Sequence, residues 1–142
     1  MAAHVYCIQG RFRGNSHFSR HWYDLVQLDN CGVAAQALGD RVLAQQVADH
    51  KNLFFAEKAP DGTRIDYVRS ISGGLRLVPE GTALDSLGAD YADMSGDGLL
   101  PEGAEEFDAL LTRCRLIEIK AATAARVPAI NVSGKAGGAV PS

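Results

Sequence analysis

The chain has 142 residues, 46% hydrophobic and 22% charged, with a formal net charge of −3. That is enough for one modest domain with a real core, and the balance is that of an ordinary globular protein. No apolar run reaches membrane-spanning length, the opening MAAHVYCIQGRFR lacks a secretory pattern, and the overall acidity argues against a dedicated nucleic-acid-binding module.

Ala2 to Gln9 reads as the tail of a helix closed by Gly10. Residues 10–17 read as a loop, with Gly14, Asn15 and Ser16 as turn formers. Ser19 or Ser16 is placed to cap a helix that carries Phe18, Trp22, Leu25 and Val26 as its apolar stripe and stops near Asn30, before Gly32. Ala34 to Leu38 is expected to form a single turn. Asp40 caps a stronger helix from Arg41 to about Glu57, with Val42, Leu43, Val47, Phe54 and Phe55 apolar. Pro60-Asp61-Gly62 ends it in a turn.

Between Thr63 and Pro79, Ile65, Tyr67, Leu75, Leu77 and Val78 suggest short extended pieces interrupted by Gly73-Gly74. A helix opening at Thr82 places Leu84, Leu87, Tyr91 and Met94 on one side and closes at Gly96 and Gly98. The last helix starts near Pro101 to Ala104, with Phe107, Leu110, Leu111, Cys114 and Ile117 at helical spacing. After it the composition turns small and polar, which predicts a disordered tail over residues 121–142. The fold class expected is mainly α, divided into an initial helix and loop over residues 1–17, a helical region over 18–120, and the tail.

Charge is unevenly placed. No carboxylate precedes Asp24, while Arg11, Arg13, Arg20, His4, His17 and His21 all lie before it. Such a patch is either an exposed cationic loop or a contact for a phosphate-bearing ligand. Cys7, Cys31 and Cys114 are odd in number and far apart, which argues against disulfides and zinc, and for buried free thiols in a reducing cytoplasm. His17, His21 and Asp24 share a helical spacing that suits a metal on paper. Arg20 between them and the loop position of His17 favour a solvated face or a phosphate contact, so no metal ligand is assigned. No P-loop, dinucleotide fingerprint or G-x-S-x-G motif is present, and nothing orders a base near Cys7 or Cys31.

Three blocks carry a resemblance. They are Ser19-Arg20-His21-Trp22-Tyr23-Asp24-Leu25, then His50-Lys51 with Phe54-Phe55, then Gly74-Leu75-Arg76-Leu77-Val78-Pro79 followed by Leu87, Asp90-Tyr91 and Met94. In order and spacing these resemble the C-terminal part of the AbiEii/AbiGii nucleotidyltransferase toxins, within the polymerase-β-like superfamily. The R-x-x-x-D helix looks like the last of that family's active-site motifs, although His21 stands where members often carry an aspartate. The resemblance implies Asp24 as a catalytic residue and Arg20 and His21 as nucleotide- or substrate-binding residues. The aromatic pair Phe54-Phe55 is expected in the core.

For the full-length family the resemblance implies transfer of a nucleotide from an NTP, with Mg²⁺, to an acceptor such as tRNA. It further implies a bacterial toxin–antitoxin or phage-defence setting and a cognate antitoxin as partner. The family's earlier motifs, a Gly-rich phosphate turn, an Asp-x-Asp metal pair and a helical lysine, have no counterpart here: no Asp-x-Asp occurs, and the first lysine is Lys51. The expectation is therefore a truncated nucleotidyltransferase. It keeps the helical C-terminal region without the mixed-sheet catalytic core, holds neither Mg²⁺ nor NTP tightly, and is inactive alone. Ala2, Val5, Tyr6 and Ile8 are expected on the face orphaned by the missing part. The alternative is a non-catalytic helical binding module contacting an antitoxin, an intact toxin or tRNA.

Overall fold

The computed structural model describes residues 1–12 and 17–127. The helices are α1 (Ala2–Gln9), α2 (Arg20–Asn30), α3 (Val33–Gly39), α4 (Arg41–Phe54), the short α5 (Tyr67–Arg69), α6 (Gly81–Gly96) and α7 (Phe107–Arg126). α5 runs into a π-turn over Ser70–Gly74. Among the described residues the only β-pairing is an isolated antiparallel bridge, Lys58 with Arg64. The fold is mainly α, as the periodicity indicated.

The core gathers where α7 crosses the π-turn, α2 and α3. Trp22 and Val26 of α2, Leu87 and Tyr91 of α6, and Leu110, Cys114 and Ile117 of α7 meet there with Leu77. These positions recur at three- and four-residue intervals, so each helix turns one stripe inward. α7 keeps this stripe through buried Ala121 and stays helical to Arg126, six residues past the expected boundary at 120. The rest of the expected tail, residues 128–142, lies outside the described residues, as do Gly14, Asn15 and Ser16.

Through the centre runs an extended stretch, Leu75 to Pro79, that belongs to no sheet. Side chains from three helices satisfy its backbone. His4 Nδ1 accepts from the Arg76 N–H at 3.0 Å, Glu118 Oε1 accepts from the N–H groups of Leu77 and Val78, and Trp22 donates to the Leu77 carbonyl. Buried backbone polar groups left unpaired cost about as much as a lost hydrogen bond, so these side chains take over the role of neighbouring strands.

Two buried carboxylates fix α2. Asp90 of α6 accepts from the backbone N–H groups of His17 and Ser19, the latter at 2.8 Å, just ahead of the helix. Asp29, near the other end, accepts from Lys120 Nζ at 2.9 Å and from Arg113 at 3.2 Å, both on α7. The Lys120 ammonium holds the Asp29 carboxyl below the usual carboxylate range. Ser19 does occupy the cap position, but its hydroxyl goes to Met94 Sδ and not to the helix N–H groups. The first N–H groups of α2 go instead to the carbonyls of His17, Phe18 and Ser19, and Asp90 holds the turn that supplies them.

Several expectations need correction. Residues 33–39 form a full short helix and not a single turn. α4 ends at Phe54, three residues early, and α7 begins at Phe107, after Ala104. The 63–79 segment holds a short helix and π-turn before its extended part. Gly73 sits at φ +100, and a Cβ on Gly74 would lie 2.8 Å from the Arg69 carbonyl oxygen, so this glycine pair is required by the turn. Cys31 is exposed, while Cys114 is buried and Cys7 half-buried. Tyr6 does not face outward: its ring packs on Trp22 and Phe12, and only Ala2 of the four expected orphan residues is exposed.

The largest correction is α4. Asp40 caps it as expected, accepting from Leu43 N–H at 2.9 Å. The helix is turned the other way round, however. Ala44, Ala48 and Asn52 face inward, and Val42, Leu53, Phe54 and Phe55 are 50–73% exposed. Polar contacts anchor it: Arg41 donates to the Ile71 carbonyl, Asn52 Oδ1 accepts from Tyr67 N–H, and the Tyr67 hydroxyl donates to the Phe55 carbonyl. The Phe54-Phe55 pair is therefore not core.

Two expected outcomes follow from these polar contacts. Burial, ahead of all other causes, holds His4 neutral and lowers its pKa from 6.5 to about 4. Unfolding frees it to bind a proton below pH 6.5. Its contribution is complete above that pH, declines as pH falls from 6.5 towards 4, and amounts to on the order of 2–3 kcal/mol. Denaturant melts of wild type and His4→Gln across pH 4–7 check this, the variant showing the flatter slope. Asp90→Ala leaves two N–H groups uncapped and is expected to cost about 2–3 kcal/mol in the same assay.

Candidate functional site

α2 divides its residues cleanly. Trp22 and Val26 are fully buried and Asp29 is tied to α7, so the helix is held along its inner side. That leaves Arg20, His21 and Asp24 on the outer side, all exposed. Arg20 Nε donates to Asp24 Oδ1 at 2.9 Å, with the two side chains 55% and 53% exposed. The guanidinium spends only Nε on this pair, which leaves its two terminal nitrogens for other acceptors. His21 lies beside the Tyr6 ring, 6.2 Å between centroids.

His21 and Asp24 stand on the wall of a cleft of about 490 Å³; Arg20 is outside it. The cleft runs between α2 and α3 on one side and α4 on the other, with Ile71, Leu75 and Ile117 among the residues beneath. Its walls are overwhelmingly apolar. Two other polar groups in the lining are already spent on backbone: Arg41 on the Leu38 and Ile71 carbonyls, and Ser70 Oγ on the Tyr67 carbonyl at 2.7 Å. The chemistry here is an apolar hollow with a carboxylate and an imidazole on its wall.

A second hollow, of about 940 Å³, opens on the other side of the extended stretch. Arg64, Arg69, Arg76 and Arg115 line it together with Asp66, Glu80 and Glu118. Sequence reasoning missed this convergence, because the four arginines come from the 58–64 turn, α5, the extended stretch and α7. No spacing in the chain announces that they meet. Each carboxylate there has structural work: Glu118 holds the Leu77 and Val78 amides, Glu80 pairs with Arg76 at 3.1 Å, and Asp66 caps Val68 N–H at 2.9 Å.

Two of the three thiols, Cys7 and Cys114, lie away from solvent. Burial pushes Cys7 and Cys114 each up to about 12, which leaves them protonated at neutral pH. The paper set of His17, His21 and Asp24 does not come together: His17 adopts φ 78, gives its N–H to Asp90 and buries Nδ1. Among the described residues no group of three or more His, Cys, Asp or Glu side chains is placed to hold a metal ion. Nor is any described helix long and apolar enough to cross a membrane.

Comparison with protein-family models, with curated proteins and with solved structures finds no match to this chain.

An exposed i,i+4 ion pair contributes only a few tenths of a kcal/mol. Arg20→Ala and Asp24→Ala are therefore each expected to shift unfolding by less than about 0.5 kcal/mol. Trp22→Ala, by contrast, removes a fully buried ring and its bond to Leu77, at about 4 kcal/mol. Urea titrations of the three variants separate the surface pair from the anchor that holds it.

Proposed function

We propose that this chain is the helical C-terminal region of an AbiEii/AbiGii-type nucleotidyltransferase, and that Asp24, with Arg20 and His21, forms the face it contributes to nucleotide handling. The observation that carries this reading is the division of labour on α2. Its apolar and buried acidic residues lock the helix, while the three motif residues take no part in the core and stand exposed, two of them on the wall of a cleft. On such a face the terminal nitrogens of Arg20 suit a phosphate oxygen, and the free Asp24 oxygen suits a ribose or base donor.

For the Mg²⁺ that the resemblance implies, no group of three or more His, Cys, Asp or Glu comes together among the described residues, and the chain has no Asp-x-Asp pair. No chemical step is assigned through the ion. On this reading the chain binds and positions rather than transfers, and it does not catalyse transfer by itself. In the full-length family the acceptor class would be tRNA and the protein partner an antitoxin.

A second reading, a non-catalytic helical binding module acting in its own right, draws support from the exposed large side chains of α4. Either reading leaves the isolated chain without transfer activity.

Incubation with labelled NTPs, tRNA and Mg²⁺ is the direct test. The expected outcome is no transfer of label by the chain alone, whereas transfer abolished by Asp24→Ala would overturn that part of the reading. Sequencing the genomic DNA upstream of the Met1 codon tests the family assignment. A Gly-rich turn, an Asp-x-Asp and a helical lysine in one frame support it, and their absence in every frame leaves the binding module.

A further inference from the structure

The inverted helix α4 is the feature that the nucleotide reading does not use. At 100° per residue, Val42, Leu43, Gln46, Val47, His50, Leu53 and Phe54 fall within about 140° of one another around the helix. Every large apolar residue of α4 is in that arc, and the inner arc holds Ala44 and Ala48 between polar anchors. Leu43 and Val47 continue the surface into the cleft, where Leu28 and Val33 are 47% and 46% exposed. Phe55 extends it at the other end, its ring under Lys51 Nζ at 4.2 Å.

We infer that this surface is a self-association face, covered in solution by the same face of a second copy of the chain. Two observations select that occupant. The first is charge: the α4 arc contains no Asp, Glu, Lys or Arg, with Gln46 and His50 its only polar members, and the charged groups lie at its margins, Lys51 over Phe55 and Asp24 on the cleft wall. A two-fold contact centred on the arc sets it against itself, so no like charges meet there. A phosphate-bearing or lipid-headgroup surface would instead call for cations on the face, and a charged protein partner for the opposite sign.

The second observation is area. Fully exposed, side chains of this size present roughly 150–200 Å² each; the eight between Leu28 and Phe55 are 38–73% exposed, so together they offer on the order of 700 Å² of largely apolar surface. One partner in a standard interface contributes ~800 Å². The inference concerns the apolar side chains from Leu28 to Phe55 and stands whether or not Asp24 handles a nucleotide.

Sedimentation equilibrium of the full chain from about 1 to 100 μM tests it. The expected result is a monomer–dimer equilibrium that Val42→Asp/Phe54→Asp shifts to monomer, with the apparent Kd rising at least ~100-fold. Those two side chains are 66% and 65% exposed, so helix content and melting temperature should stay put. Asp24→Ala should dimerise like wild type, which separates this face from the nucleotide reading. A wild type that stays monomeric to 100 μM overturns the inference, as does a dimer indifferent to the double substitution. Monomer that instead binds neutral phosphatidylcholine vesicles through this face overturns it too, in favour of lipid.

Discussion

Everything in this fold leans on one short piece of extended backbone. Leu75 to Pro79 threads between helices with no strand beside it, so its N–H and C=O groups have no ladder to satisfy them, and at buried Leu77 no solvent-exposed surface either. His4, Trp22 and Glu118 close that gap from α1, α2 and α7. Each of these side chains also fixes the helix that carries it relative to the other two. The apolar core packs around the junction, but the polar contacts set its register, since apolar packing by itself tolerates many near-equivalent arrangements.

The position of α2 follows from this. Trp22 binds the helix to the extended stretch, Asp90 holds the residues just ahead of it, and Asp29 ties its end to Lys120 and Arg113. A helix held at three points presents its remaining side fixed in space. The exposed Arg20–Asp24 pair thus sits on a rigid support, the condition under which a weak surface ion pair becomes a defined recognition geometry.

How far this was legible from residues alone depends on what each residue answers to. α6 and α7 could be read because their buried positions follow helical periodicity: Leu87, Tyr91 and Met94 on one, Leu110, Cys114 and Ile117 on the other. α4 misled, because periodicity reports that a helix has an apolar side but not which way that side faces. The anchors that decided the matter, Arg41 to the Ile71 carbonyl and Asn52 to Tyr67, are single polar contacts to backbone with no pattern along the chain. Asp90 was similarly opaque: its hold on the turn ahead of α2, 71 residues earlier at Ser19, exists only once α6 has packed. Arg20, His21 and Asp24 were singled out by their motif, and the structure leaves all three exposed on α2, with His21 and Asp24 on the cleft wall and Arg20 outside it. The arginine-lined hollow could not be found, because its members are brought together only by the fold.

The polar joints share one property of chain topology. His4 reaches across 72 positions to Arg76, Trp22 across 55 to Leu77, and Asp29 across 91 to Lys120. The first and last helices are thus partners in the same junction. During synthesis, α1 to α6 emerge while Glu118 and Lys120 are still inside the ribosome, leaving the Leu77 amide and the Asp29 carboxylate without their partners. The helices can form from their own local contacts, but the junction that sets them against one another closes only when α7 is out, so the last helix made is the one that fixes the register of the first.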